Sequence, residues 1–203
     1  MRWIEKPDPS SSVFIIKGPT GVGKTALVQS IAERLQAENR HSYACFFFRR
    51  GDNMDQLFST LAYQLAMNTA GVRQHVGQAI VDNPALPTKA PAIQLQKLII
   101  DPFKLLPTPR PSPILIIEGL NECEEEEFKE AFLAIISNVL LDPTVAIRFI
   151  VSGISEQHDE SIRHNCNCLV LGWLALDRHV DRVISVLARS ARSMAQPLFF
   201  LQT

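Results

Sequence analysis

Long apolar runs are missing from this 203-residue chain. No stretch approaches the roughly 20 consecutive apolar residues that span a bilayer, so a transmembrane helix is excluded. Met1 to Ser12 is polar and holds two prolines, the opposite of an apolar signal segment. Charge of one sign is also scarce. Twenty basic residues stand against 21 acidic ones, for a net charge of −1, which gives nucleic acid no broad electrostatic footprint. Cysteine occurs four times, at Cys45, Cys123, Cys166 and Cys168, too scattered for a disulfide framework. His164-Asn165-Cys166-Asn167-Cys168 has the flavour of a metal cluster but lacks the two-residue gap and second ligand pair of a zinc knuckle. Reduced thiols point to the cytoplasm. Apolar residues, in contrast, make up 46% of the chain against 20% charged. That is enough for the core of one α/β domain, in a chain short for two.

The apolar residues fall into two periods. Val13-Phe14-Ile15-Ile16, Tyr43 to Phe48 and Ile114-Leu115-Ile116-Ile117 are continuous runs, as strands covered on both faces should be. Val145 to Val151 and Cys168 to Leu171 read as a fourth and a fifth strand. Between them the spacing changes to three and four residues. Leu27, Ile31 and Leu35 mark a helix to about Leu35, and Leu57, Leu61 and Leu65 mark another that Asp52 or Asn53 can cap. Val72 to Val81 is a shorter amphipathic stretch closed by Pro84 and Pro87. Ile93 to Leu106 reads as a helix with a kink at Pro102, and Pro107, Pro109, Pro111 and Pro113 make a stiff connector after it. Phe128, Phe132, Ile135, Ile136, Val139 and Leu140 trace one face of a helix between Glu124 and Leu141. Asp177 to Arg189 is a last helix. Strands alternating with helices imply an α/β fold, a parallel sheet flanked by helices on both faces.

The densest chemical signal is Gly18-Pro19-Thr20-Gly21-Val22-Gly23-Lys24-Thr25, which fits GxxxxGK[ST]. Glycines let successive backbone N–H groups turn inward around an anionic phosphate, and the adjoining helix adds its positive end. In this pattern Lys24 places a charge between the β- and γ-phosphates, and the Thr25 hydroxyl can ligate Mg²⁺. The run sits directly after an apolar strand and opens a periodic helix, the context a P-loop requires. A nucleoside triphosphate or diphosphate with Mg²⁺, such as ATP or ADP, is the ligand this implies; the loop itself does not distinguish ATP from GTP.

A second signal closes the third strand. Glu118 ends Ile114-Leu115-Ile116-Ile117 as a carboxylate where such a site needs an acid for the Mg²⁺ shell. Four residues on, Glu122 stands either as the group that polarises a water against the γ-phosphate or as the first member of the acidic helix start at Glu124 to Glu127. A P-loop transferase acting on tRNA would need an Asp-Ser pair soon after the first helix, and Tyr43 to Arg50 offers none.

Taken in order, Phe14 to Thr25, Phe46-Phe47-Phe48-Arg49-Arg50, Thr60 to Ala66, Leu95 to Phe103, Leu115 to Cys123 and Arg148 to Ser152 carry a resemblance. The chain resembles a NACHT-type NTPase domain of the STAND class, as in fungal nucleotide-sensing proteins, and is similar to the related nephrocystin-like N-terminal domain. The resemblance implies a five-stranded P-loop NTPase sheet in the order 5-1-4-3-2. It also implies a switch that ADP holds closed and that ATP releases for assembly into a signalling oligomer.

The sequence departs from that pattern at three positions. Glu118 and Asn121 stand where aspartates are usual, and Gly153 stands where an arginine senses the terminal phosphate. These departures lead to an expectation of nucleotide binding with weak or absent hydrolysis, the alternative being a competent ATP or GTP hydrolase. The organisation expected is a polar segment over 1–12, the NTPase domain over 13–175, and a truncated or divergent helix and apolar tail over 176–203, with Leu198-Phe199-Phe200-Leu201 at its end. Protein partners or missing C-terminal regulatory domains complete the expectation, with no membrane and no nucleic acid.

Overall fold

Alternate residues of each strand face opposite ways, and the core divides accordingly. In the computed structural model, which describes residues 12–52, 54–107, 112–124, 126–142, 145–154 and 166–170, Ile16, Ile114, Ile116 and Ile150 lie on one face of the sheet. They pack with Leu27, Val28, Ile31 and Leu35 of helix α1 (Lys24–Glu38). Val13, Ile15, Leu115, Ile117, Phe149 and Val151 lie on the other. That face is covered by α2 (Leu57–Asn68), α3 (Val72–Asp82), the segment from Pro91 to Lys104, and α6 (Glu126–Leu141). Phe58 of α2 and Phe128 of α6 each stand with their ring centroids 6.4 Å from that of Phe132, so an aromatic ladder joins two covering helices.

The strands are β1 (Val13–Lys17), β2 (Tyr43–Phe47), β3 (Ile114–Glu118) and β4 (Arg148–Ser152). All pairings are parallel: β1 with β4, β4 with β3, and β3 with β2. The order is thus 1-4-3-2, and β5 (Cys166–Val170) pairs parallel along the other side of β1. Every residue of β3 and β4 is buried, as interior strands between two helix layers must be. The α/β class, the parallel sheet and the helices on both faces are as expected from the sequence. The expectation of five packed strands is narrowed: the packing described belongs to four, and β5 contributes a backbone pairing. Two bounds also shift. Val145 lies before β4 because its N–H turns back to the Asp142 carbonyl, and β5 lies two residues ahead of the Cys168 start expected for it.

At the free edge of β2, Gln64 of α2 replaces a neighbouring strand. Its Nε2 donates to the Cys45 carbonyl at 2.8 Å, and its Oε1 accepts from the Cys45 N–H at 2.8 Å. An unpaired backbone group costs about 1–3 kcal/mol when water is excluded. Gln64→Leu is therefore expected to lower stability by about 2–3 kcal/mol, read as a fall in the urea midpoint at unchanged slope.

Two expected local features take another form. Asp52 does not cap α2. Its Oδ2 accepts from the Arg49 N–H at 2.8 Å and closes the turn after β2, and a 3₁₀ turn (Met54–Gln56) leads into the helix. Asn53 is outside the described residues. The helix expected over Ile93 to Leu106 is built as α4 (Pro91–Gln94), a π-helical stretch (Leu95–Ile100) and α5 (Asp101–Lys104). Pro102 has no N–H and its ring crowds the preceding turn. The chain widens ahead of it, so that the Asp101 N–H reaches the Gln96 carbonyl five residues back.

Gln94, at the start of that segment, is fully buried. Its Oε1 accepts from the Ser59 N–H at 3.1 Å. Its Nε2 faces the carbonyls of Asp55 at 2.8 Å, Lys89 at 2.7 Å and Pro87 at 3.2 Å. One side chain thus ties the start of α2 to the turn around Pro87.

Candidate functional site

Parallel strands bring their C-terminal ends to one edge, where ligands of open α/β sheets bind. The register sets the level: Ile16 stands beside Ser152, Ile117 beside Val151, and Phe47 beside Glu118. The turns that begin at Gly18, Gly119 and Gly153 therefore leave the sheet together.

The first turn is the Gly18–Thr25 loop. Gly18, Gly21 and Gly23 have φ of 150°, 81° and 93°, and Gly23 is the residue from which α1 starts. Only glycine enters those regions without strain. Val22 is buried against the core on the α1 face and pins the loop from beneath, while Pro19, Thr20 and Gly21 are exposed. Lys24 turns back into the loop, its Nζ donating to the carbonyls of Gly18 at 2.7 Å and Pro19 at 2.9 Å. The Thr25 hydroxyl donates to Glu118 Oε1 at 2.6 Å, across 93 residues of sequence.

Glu118 is only 7% exposed, and its carbonyl accepts from the Phe48 N–H at 2.8 Å. After it, Leu120–Glu122 form a 3₁₀ turn. Asn121 Nδ2 donates to Glu122 Oε1 at 2.7 Å, and both side chains are exposed. The structure thus brings Lys24, Thr25 and Glu118 together, and sets Glu122 on the turn leaving the same strand. At the outer rim Arg50 pairs with Glu124 at 2.8 Å, with the side chains 84% and 65% exposed, a surface pair that contributes little.

Gly153 requires a correction. Its replacement of an arginine reads in the sequence as a lost cation that an engineered arginine could restore. In the structure its φ is 84°, and a Cβ there would stand 2.4 Å from Asn121 Oδ1 and 2.7 Å from the Leu120 nitrogen. The position does not admit a side chain unless the Leu120–Glu122 turn moves. Sequence reasoning also missed Ser152, which is fully buried and whose Oγ accepts from the Gly119 N–H at 3.3 Å. A hydroxyl directly after the apolar run Phe149-Ile150-Val151 was its signal.

The remaining chemical candidates lie elsewhere. Cys45 and Cys123 are thiols outside any disulfide, and burial pushes the Cys45 thiol up to about 12, which leaves it protonated and unreactive at neutral pH. Among the described residues no three His, Cys, Asp or Glu side chains gather as a metal cluster. His164 and the tail from 171 onward lie outside those residues. Among them, too, no helix is long and apolar enough to cross a membrane.

A family model described as nephrocystin 3, N-terminal matches residues 1–153, three quarters of the 203-residue chain. The chain belongs to the nephrocystin 3 N-terminal family. The match takes in the Gly18–Thr25 loop, Glu118 and Glu122 and ends at Gly153, so the nephrocystin-like part of the resemblance rests on the segment that carries the whole candidate site. No curated protein matches the chain.

Proposed function

We propose that this chain is a NACHT-like switch module that binds ATP or ADP with Mg²⁺ and hydrolyses it weakly or not at all. The observation that carries the reading is the convergence of the Thr25 hydroxyl and the Glu118 carboxylate at 2.6 Å, beside a glycine loop that holds Lys24 at its centre. Two hard oxygen donors from distant parts of the chain, next to a fixed ammonium, suit a divalent cation and the phosphates it accompanies. The fit holds for residue type and for placement at the carboxyl edge of the sheet. The strand order 1-4-3-2, with β5 beside β1, supports assignment to the P-loop class with its order 5-1-4-3-2.

In this reading Gly18 to Thr25 present backbone N–H groups to the β-phosphate. Lys24 exchanges its bonds to the loop carbonyls for bonds to phosphate oxygens. Thr25 and Glu118 are the residues that would hold the cation, as a hydroxyl and a carboxylate suited to a hard divalent ion. A cation held there would supply positive charge against the phosphates. A cytoplasmic location and protein partners belong to the same proposal.

Glu118 supplies the test. Glu118→Gln keeps the shape and an acceptor for Thr25 but removes the charge. It is expected to weaken Mg²⁺–ATP binding about tenfold, as befits one charge-assisted contact, and to leave metal-free ADP binding unchanged. Isothermal calorimetry with and without EDTA reads both. An equal effect in both conditions would assign Glu118 to the fold alone.

A second reading, a competent nucleoside-triphosphatase, is favoured by one observation. Glu122 sits on a turn fixed to the end of β4 through the Gly119–Ser152 bond, at the same sheet edge as Lys24 and Thr25. Brisk phosphate release by the wild-type chain, lost in Glu122→Gln, would select it.

A further inference from the structure

One contact at the carboxyl edge of the sheet is made by the absence of a side chain. Gly153 comes directly after β4 at a φ of 84°. A Cβ on it would meet Asn121 Oδ1 at 2.4 Å, the Leu120 nitrogen at 2.7 Å and the Asn121 nitrogen at 2.8 Å. Two of these atoms belong to the backbone, so no rotamer change clears them. Beside it, Ser152 Oγ accepts from the Gly119 N–H. The turn that leaves β3 therefore rests directly on the end of β4. The side chain pressed against Gly153 is the one that reaches Glu122: Asn121 Nδ2 donates to Glu122 Oε1 at 2.7 Å.

We propose that Gly153 is a positioning residue for Glu122. Lacking a Cβ, it lets Leu120 and Asn121 seat on β4, and Asn121, so placed, holds the Glu122 carboxylate. A side chain at 153 lifts the turn and releases that carboxylate. Glycine at 153 and asparagine at 121 are then one unit, and the end of β4 communicates with Glu122 through their contact. The kinetic consequence rests on the second reading above, in which Glu122 orients the attacking water; the contact itself does not.

Gly51 provides the control. Its φ is 86°, yet a Cβ there would meet nothing within 4 Å, so Gly51→Ala carries the backbone strain without the collision. NMR spectra of the full chain without nucleotide give the first comparison. Gly153→Ala is expected to move the backbone amides of Gly119 to Glu122 and the Asn121 side-chain amide, and Gly51→Ala to leave them in place. Asn121→Ala, at an exposed position, is expected to move the Glu122 carboxyl carbon without unfolding the chain. With Mg²⁺–ATP, single-turnover phosphate release should fall about tenfold in both Gly153→Ala and Asn121→Ala, less than the roughly 10²–10⁴-fold of a whole general base because Glu122 itself is retained. ADP affinity should stay within about twofold, because the Gly18–Thr25 loop keeps its contacts.

Unmoved turn resonances in Gly153→Ala, or equal movement in Gly51→Ala, would overturn the proposal. So would a fall in affinity that matches the fall in rate. Should Gly153→Ala not fold, Asn121→Ala decides alone: a Glu122 carboxyl that does not respond refutes the link. A wild-type chain that binds no nucleotide would remove the proposed function, and the nucleotide-free spectra would still decide whether Gly153 positions Glu122.

Discussion

Lys24→Ala is expected to reduce ADP and ATP affinity by a factor of about 10²–10⁴ while leaving the fold intact. The Lys24 ammonium stands between two carbonyls of its own loop, 2.7 and 2.9 Å away, at the centre of the glycine turn. Two charge-assisted hydrogen bonds to phosphate are worth about 1.5–3 kcal/mol each, and each 1.4 kcal/mol is about tenfold in affinity. The same side chain contributes little to folding. It is half-buried and outside both apolar clusters, and on its removal the exposed side of the loop gives water access to the carbonyls. Calorimetry reports the affinity and circular dichroism the fold. Unchanged affinity in a folded variant would remove the phosphate-binding role of the loop.

Gln94→Leu is expected to be the most destabilising single replacement of a polar residue, at about 3–5 kcal/mol. Leucine fills a similar volume, so the loss is one of hydrogen bonds rather than of packing. The Ser59 N–H and the carbonyls of Asp55, Pro87 and Lys89 lose a shared partner at a residue with no solvent exposure. Each buried backbone group left unpaired costs about 1–3 kcal/mol, and the Pro87 turn can recover part of this by opening to water. Urea denaturation measures the loss. The partners of Gln94 include no residue of the candidate site, so the variant should bind nucleotide with unchanged affinity wherever it remains folded. A loss below about 1 kcal/mol would mean that these groups find other partners.

The parts of this fold legible in the sequence were those with a local cause. Val13 to Ile16 is a continuous apolar run because β1 is covered on both faces, and the glycines at 18, 21 and 23 mark a turn whose dihedrals other residues resist. Leu27, Ile31 and Leu35 recur because α1 shows one stripe to the sheet. The features that escaped depend on neighbours far along the chain. Gln64 reads as a polar residue on a helix until Cys45, 19 positions away, is seen to expose its backbone to it. Gln94 reads the same way until three separate carbonyls converge on its amide. The π-helical stretch before Pro102 packs against α2 and α3, neighbours that the local sequence does not reveal. Gly153 is the most instructive case. The resemblance implies a missing arginine there, whereas the collision that a Cβ would make with Asn121 and Leu120 favours glycine in this chain's own geometry. Thr25 and Glu118 illustrate the opposite: each was legible alone, and the fold supplies the 2.6 Å that joins them.

Nucleotide binding by the wild-type chain is the property on which the other expectations depend. The direct measurement is calorimetric titration of nucleotide-stripped chain with ADP and with ATP in Mg²⁺. Saturable binding of one nucleotide per chain is expected for both, weaker for ATP when the cation is removed. A titration that shows no saturable heat with either nucleotide, for a chain folded by circular dichroism, would contradict it.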